Sequence, residues 1–240
     1  MAAHAVQRQS TIPPHDHYEY PIHNPTAVAI LNRSATKRFG EFATMKNVLV
    51  SALAFSSGFV IMSLELLGGR LLAPYFGSSI YVWGSVITVF MLALSAGYLT
   101  GGWLSLFNPS LKRFSLIFFT SAATLYPLAM ITEPVMERVF EALTDPRWGS
   151  LVAALILFAL PTFILGLISP YAVRLLVVNV DRAGNTAGTL YFVSTIGSAL
   201  GTLATSFYFV LWFQMDTIIF LLSGTLLILG FVSWIAARNR

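Results

Sequence analysis

The sequence predicts an all-α membrane protein with six transmembrane helices and both termini in the cytoplasm. Three observations carry that prediction. Of 240 residues, 56% are hydrophobic and only 10% charged, whereas soluble domains carry about 25% charged residues. The apolar residues gather into six segments, each near the roughly 20 residues needed to cross hydrocarbon. The basic residues fall between those segments with a strong bias. With the N-terminus inside, ten lie on the cytoplasmic side: Arg33, Lys37, Arg38, Lys46, Lys112, Arg113, Arg174, Arg182, Arg238 and Arg240. Three, Arg70, Arg138 and Arg147, lie outside. Cytoplasmic loops carry such an excess, so the net charge of +4 points to a membrane orientation and not to nucleic acid.

Residues 1–44 read as a polar cytoplasmic tail, rich in His, Pro, Asn and Arg and without apolar period, which predicts disorder. Its first 20 residues lack the apolar core of a signal peptide. All four histidines lie in it, and His15-Asp16-His17 is a weak metal motif without a folded frame. Met45-Lys46 also reads as a plausible start of a compact six-helix domain over 45–240. The apolar segments then run over about 47–67, 81–106, 114–131, 149–169, 187–213 and 217–237. Trp83 and Trp103 are separated by about one hydrocarbon thickness at roughly 1.5 Å per residue, as interfacial markers would be. Between the third and fourth segments, 132–148 holds Glu133, Glu137, Glu141 and Asp145 opposite Val135, Met136, Val139, Phe140 and Leu143. That pattern predicts a helix lying along the interface. Pro161 and Pro170 loosen or end the fourth helix locally.

Residues 64–79, LELLGGRLLAPYFGSS, hold Glu65 and Arg70, the only charges between Asn47 and Leu111. A charge within a span costs about 2.5–3.5 kcal/mol on insertion scales. Five positions separate the two, so an ideal helix sets them roughly 140° apart. They would pair directly only if the helix unwound at Gly68-Gly69. One reading is an outer-end loop whose charges snorkel to the interface; the other is an interior pair or polar site for a substrate. Gly97 and Gly101 in the second span, and Gly197 and Gly201 in the fifth, allow close helix approach. They serve either packing within the chain or contact between subunits.

Catalytic signals are missing from the sequence: it holds no Walker, HExxH or GxSxG pattern, no cysteine and no acid–base pair. No enzyme activity and no cofactor are expected of it.

Four blocks carry a resemblance. ELLGGRLLAPYFGSSIYVWGSVI (65–87), LSAGYLTGG (94–102), PTFILGLISPYAVRL (161–175) and GTLYFVSTIGSALGTL (188–203) resemble the membrane portion of bacterial fused major-facilitator/spermidine synthase proteins, over about 45–211. The resemblance implies half of a major facilitator fold in a bacterial inner membrane. It also implies a small-solute carrier half, with a polyamine as cargo. The synthase domain that often accompanies this membrane portion has no counterpart here, so aminopropyl transfer is expected of a separate protein. Residues 101–113 hold Gly101, Gly102, Lys112 and Arg113 but no acid, a departure from the facilitator signature at this place. The alternative expectation is a non-catalytic membrane subunit or anchor, within a larger complex or beside a synthase-like enzyme. A single six-helix half also leaves one face to be covered, which predicts a homodimer or a place in a membrane complex.

Overall fold

The structure is a computed structural model that describes the backbone of residues 25–177 and 180–238 and the side chains of 45–177 and 181–238. The chain falls into two units, Met1–Thr44 and Met45–Arg240. Among the described residues the fold is helical without strands. The helices are α1 (Pro25–Phe76), α2 (Ile80–Leu104), α3 (Leu111–Leu125), α4 (Leu128–Ala142), α5 (Pro146–Gly166), α6 (Ile168–Leu176), α7 (Ala183–Ala204), the single turn α8 (Val210–Trp212) and α9 (Met215–Arg238). Five helical stretches are long and apolar enough to cross a membrane, or six if the bent pair α3 and α4 counts as one span.

The tail expectation changes for 25–44, where the backbone is helical from Pro25. Residues 1–24, with the His15-Asp16-His17 motif, lie outside the described residues.

The outer-end loop expected over 64–79 also gives way. Helix α1 stays continuous through Gly68, Gly69 and Pro74 to Phe76. A left-handed Gly77 (φ +80°) then ends it, since only glycine enters that region without a Cβ penalty. In hydrocarbon every backbone group must be satisfied within the chain, and that requirement outweighs the weak helix propensity of Gly-Gly.

Three helix pairs build the membrane unit. Helices α1 and α7 run parallel, with the Gly197 backbone against Phe55 and that of Gly201 against Phe59. The Ser63 hydroxyl donates to the Gly201 carbonyl at 3.3 Å. Helices α2 and α5 are also parallel. Their Ser85 and Ser150 hydroxyls meet at 3.0 Å, and Gly97 and Gly101 lie on the α5–α6 backbone around Phe163, Gly166 and Leu167. Helices α3 and α9 are antiparallel, held by Ser223 donating to the Ala122 carbonyl at 3.0 Å and Ser233 to that of Leu111 at 3.2 Å. Gly68 of α1 rests on Val86 of α2 and Phe158 of α5, joining the first pair to the second.

Hydroxyls on the outward faces are satisfied by their own helices. Ser95, Thr100, Thr120 and Thr225 each donate to the carbonyl four residues back, at 2.7–2.8 Å. Such back-bonding lets Ser and Thr sit in an apolar surround without an orphan donor. Together with exposed Leu99, Leu116, Phe192, Leu211 and Ile228, it fits a surface made for lipid.

Two bends have local causes. Helices α3 and α4 meet at 46° across Tyr126 and Pro127; proline has no N–H to continue the ladder. Helix α4, which covers much of the segment expected along the interface, follows α3 across this bend, with Met136 and Val139 buried and Glu133, Glu137 and Glu141 exposed. Phe140 packs edge-on against Tyr75 and Phe76 of α1, at centroid distances of 6.2 and 5.9 Å. The break between α5 and α6 falls at Leu167. Pro170 cannot bond back to the Gly166 carbonyl there, so the proline expected to stop the helix interrupts one ladder step. Tyr171, in the first turn of α6, ties it to the start of α3, stacking on Phe114 at 5.6 Å and accepting the Ser110 N–H at 3.1 Å.

Candidate functional site

Glu65 sits within the first span on a stripe set by helical spacing. Gly58 lies seven residues before it and Gly69 four after, so the three share one face of α1. Gly58 meets Ser194 and Ser198 of α7, while Gly69 meets the indole of Trp83 on α2. The carboxylate thus occupies the strip of α1 between its contact with α7 and its contact with α2. It is half-buried and forms no hydrogen bond or ion pair with another described residue.

Arg70 is exposed, and α1 does not unwind between it and Glu65. The interior Glu65–Arg70 pair therefore does not form. Over five residues of continuous helix the two point roughly 140° apart and rise about 7.5 Å. Gly68 and Gly69, the proposed point of unwinding, are contact points for neighbouring side chains. Trp83 is correspondingly half-buried on Gly69. Trp103 is exposed and meets Phe107 edge-on at 5.1 Å.

The four packing glycines all face helices of the same chain. A Cβ at Gly101 would stand 2.6 Å from the Leu167 carbonyl oxygen and 2.7 Å from its Cα. Gly97, Gly197 and Gly201 are seated as tightly against backbone, so none of the four presents an open surface to a second copy.

Other polar groups of the spans could not be placed by spacing alone. The Thr162 and Thr205 hydroxyls are fully buried without a partner among the described residues. Thr205 opens a five-residue π turn, Thr205–Phe209, in the run from α7 to α8. The Gly201 carbonyl, its usual back-bonding acceptor, already receives the Thr205 N–H and the Ser63 hydroxyl. At the end of the bundle where α2 and α5 begin, Arg147 donates to the Tyr81 hydroxyl at 3.2 Å and lies 4.7 Å from its ring centroid.

Among the described residues no group of three or more His, Cys, Asp or Glu side chains could hold a metal. No protein-family model, curated protein or solved structure matches the chain.

Proposed function

We propose that the chain is a polytopic membrane module of the small-solute carrier type, acting as one six-helix half in a bacterial inner membrane. The observation that carries this reading is Glu65: a carboxylate within an apolar span, half-buried between two helix contacts and unpaired among the described residues. Ionisable groups at such depth face a bundle interior or an aqueous path and mark the routes of ions and polar solutes. A carboxylate is also the group that a cationic cargo requires, and a polyamine is the cargo class the sequence resemblance suggests. Arg70, exposed about 7.5 Å nearer the helix end and on another face of α1, is a secondary group in this reading. Uptake of labelled spermidine and putrescine by proteoliposomes tests the reading. The wild type should accumulate the cation and the Glu65→Gln variant should not, while keeping its melting temperature. Absence of cation uptake by well-folded wild type, alone and with co-purified partners, would refute it.

One observation favours a second reading, a membrane subunit or anchor. Residues Ala183–Trp212 form the least apolar of the five long helices, yet only 17% of their apolar window is buried, against 56% for Pro146–Leu176. A helix rich in Gly, Ser and Thr is better suited to another protein than to lipid. A second copy or a synthase-like protein retained in gentle purification, without any transport by the complex, would favour this reading over the carrier.

A further inference from the structure

A cleft of ≈330 Å³ opens between the start of α3 and the end of α9, lined by Lys112, Trp234, Ala237 and Arg238. The two helices are fixed at this point by the Ser233 hydroxyl on the Leu111 carbonyl. Neighbouring Arg113 is already committed to the Phe107 carbonyl. Lys112 and Arg238 are exposed, and neither side chain forms an ion pair or hydrogen bond with another described residue. Among the described residues of this unit, Asp181 is the one acid at this end of the bundle. Glu133, Glu137, Glu141, Asp145 and Asp216 belong to the opposite end. Two cations with no acidic partner among the described residues therefore share one small cleft where two spans leave the hydrocarbon.

The surface leading away from the cleft is apolar. Leu227, Phe231, Trp234 and Arg238 follow each other at spacings of four, three and four, which places them on one face of α9. The first three are 44%, 49% and 39% exposed. On α3, Leu116 lies one turn beyond Lys112 and is also exposed. The ring of Phe231 meets Phe119 of α3 at 5.0 Å, so the two helices stay together below the cleft.

We propose that this cleft binds the phosphodiester of an anionic phospholipid, with Lys112 and Arg238 neutralising the phosphate and the acyl chains lying along Leu116, Phe231 and Leu227. Charge-assisted bonds from Lys and Arg are the strong ones for phosphate, and basic pockets between spans at the membrane surface take anionic headgroups. The apolar track below the cations selects a lipid over free phosphate. Two basic side chains near the surface correspond to a preference on the order of thirtyfold for anionic over zwitterionic lipid.

Native mass spectrometry of the full chain with phosphatidylglycerol and phosphatidylcholine of identical acyl chains tests the site. The wild type should retain phosphatidylglycerol by about that factor, and the K112Q/R238Q variant should lose the preference. K112Q and R238Q singly should each reduce it, and they carry the test if the double variant does not fold. R174Q/R182Q removes two charges outside the cleft and should keep the preference. Undiminished retention in K112Q/R238Q would overturn the site, as would equal loss in R174Q/R182Q. Stabilisation by inorganic phosphate as large as that by phosphatidylglycerol would overturn the lipid assignment.

Discussion

Replacing Gly101 by alanine isolates the contribution of close helix packing, because the neighbouring glycine is a built-in control. A Cβ at Gly101 would lie 2.6 Å from the Leu167 oxygen, 2.7 Å from its Cα and 2.9 Å from Pro170 Cγ. Ordinary contact begins near 3.4 Å, so α2 and the α5–α6 junction must separate by roughly 0.8 Å, the difference of 3.4 and 2.6 Å. Two of the three obstacles belong to backbone and cannot rotate away. Overpacking of this kind costs about 1–3 kcal/mol, and lipid offers no hydrophobic drive to offset the lost contact. Gly102, one residue on, has nothing within 4 Å of a Cβ. Gly102→Ala should be neutral, or stabilising by up to about 1 kcal/mol through helix propensity. Thermal unfolding in mild detergent, followed by circular dichroism, compares the two. Gly101→Ala should melt clearly below the wild type and Gly102→Ala at or above it. Indistinguishable melting of the two variants would refute the packing assigned to α2. Gly101→Leu should lose the fold itself; loss of self-association with the fold intact would move this glycine to a subunit contact.

Further outcomes follow from other contacts. Ser85→Ala and Ser150→Ala should each destabilise slightly, and a double-mutant cycle should give a coupling of about 0.6 kcal/mol, the usual value between membrane helices; additivity would remove the bond from the account. Tyr171→Phe keeps the stack on Phe114 but loses the bond from the Ser110 N–H, at a cost of about 0.5–1.5 kcal/mol in the same melt. Glu65→Gln should not destabilise, and any gain is bounded by the about 2.5–3.5 kcal/mol cost of a charge in a span; marked destabilisation would mean that the carboxylate has a structural partner. Arg70→Gln should change stability by less than about 0.5 kcal/mol, as exposed substitutions do. A cytoplasm-only reporter should work after Arg240 and fail near Asp145, and the reverse pattern would invert the proposed orientation.

The helices were legible because each apolar run announces its own length. Residues 81–106 and 217–237 fall within a few positions of α2 and α9. The continuation of α1 to Phe76 was not legible. Its Gly-Gly and Pro74 are local signals for a break, and what overrides them is packing on Trp83, Val86 and Phe158, residues remote in sequence. The bend between α3 and α4 had a visible marker in Pro127, and the glutamates of 132–148 marked the exposed face of α4. Glu65 stood out in the sequence as a lone carboxylate. Its place between α7 and α2 depends on which helices pair, and no spacing within α1 specifies that. The same limit hid the cleft at Lys112 and Arg238, whose two sides come from the third and last spans.

The most direct measurement of the central claim, that a polar path reaches Glu65, uses the absence of native cysteines. Glu65→Cys introduces a single thiol, and a thiol reacts with maleimide as the thiolate, which requires water. A membrane-impermeant maleimide applied to proteoliposomes should label Glu65→Cys readily and should not label Leu64→Cys, whose position is fully buried. Spermidine should slow the labelling at position 65. Glu65→Cys as inert as Leu64→Cys, with both variants folded, would contradict the account.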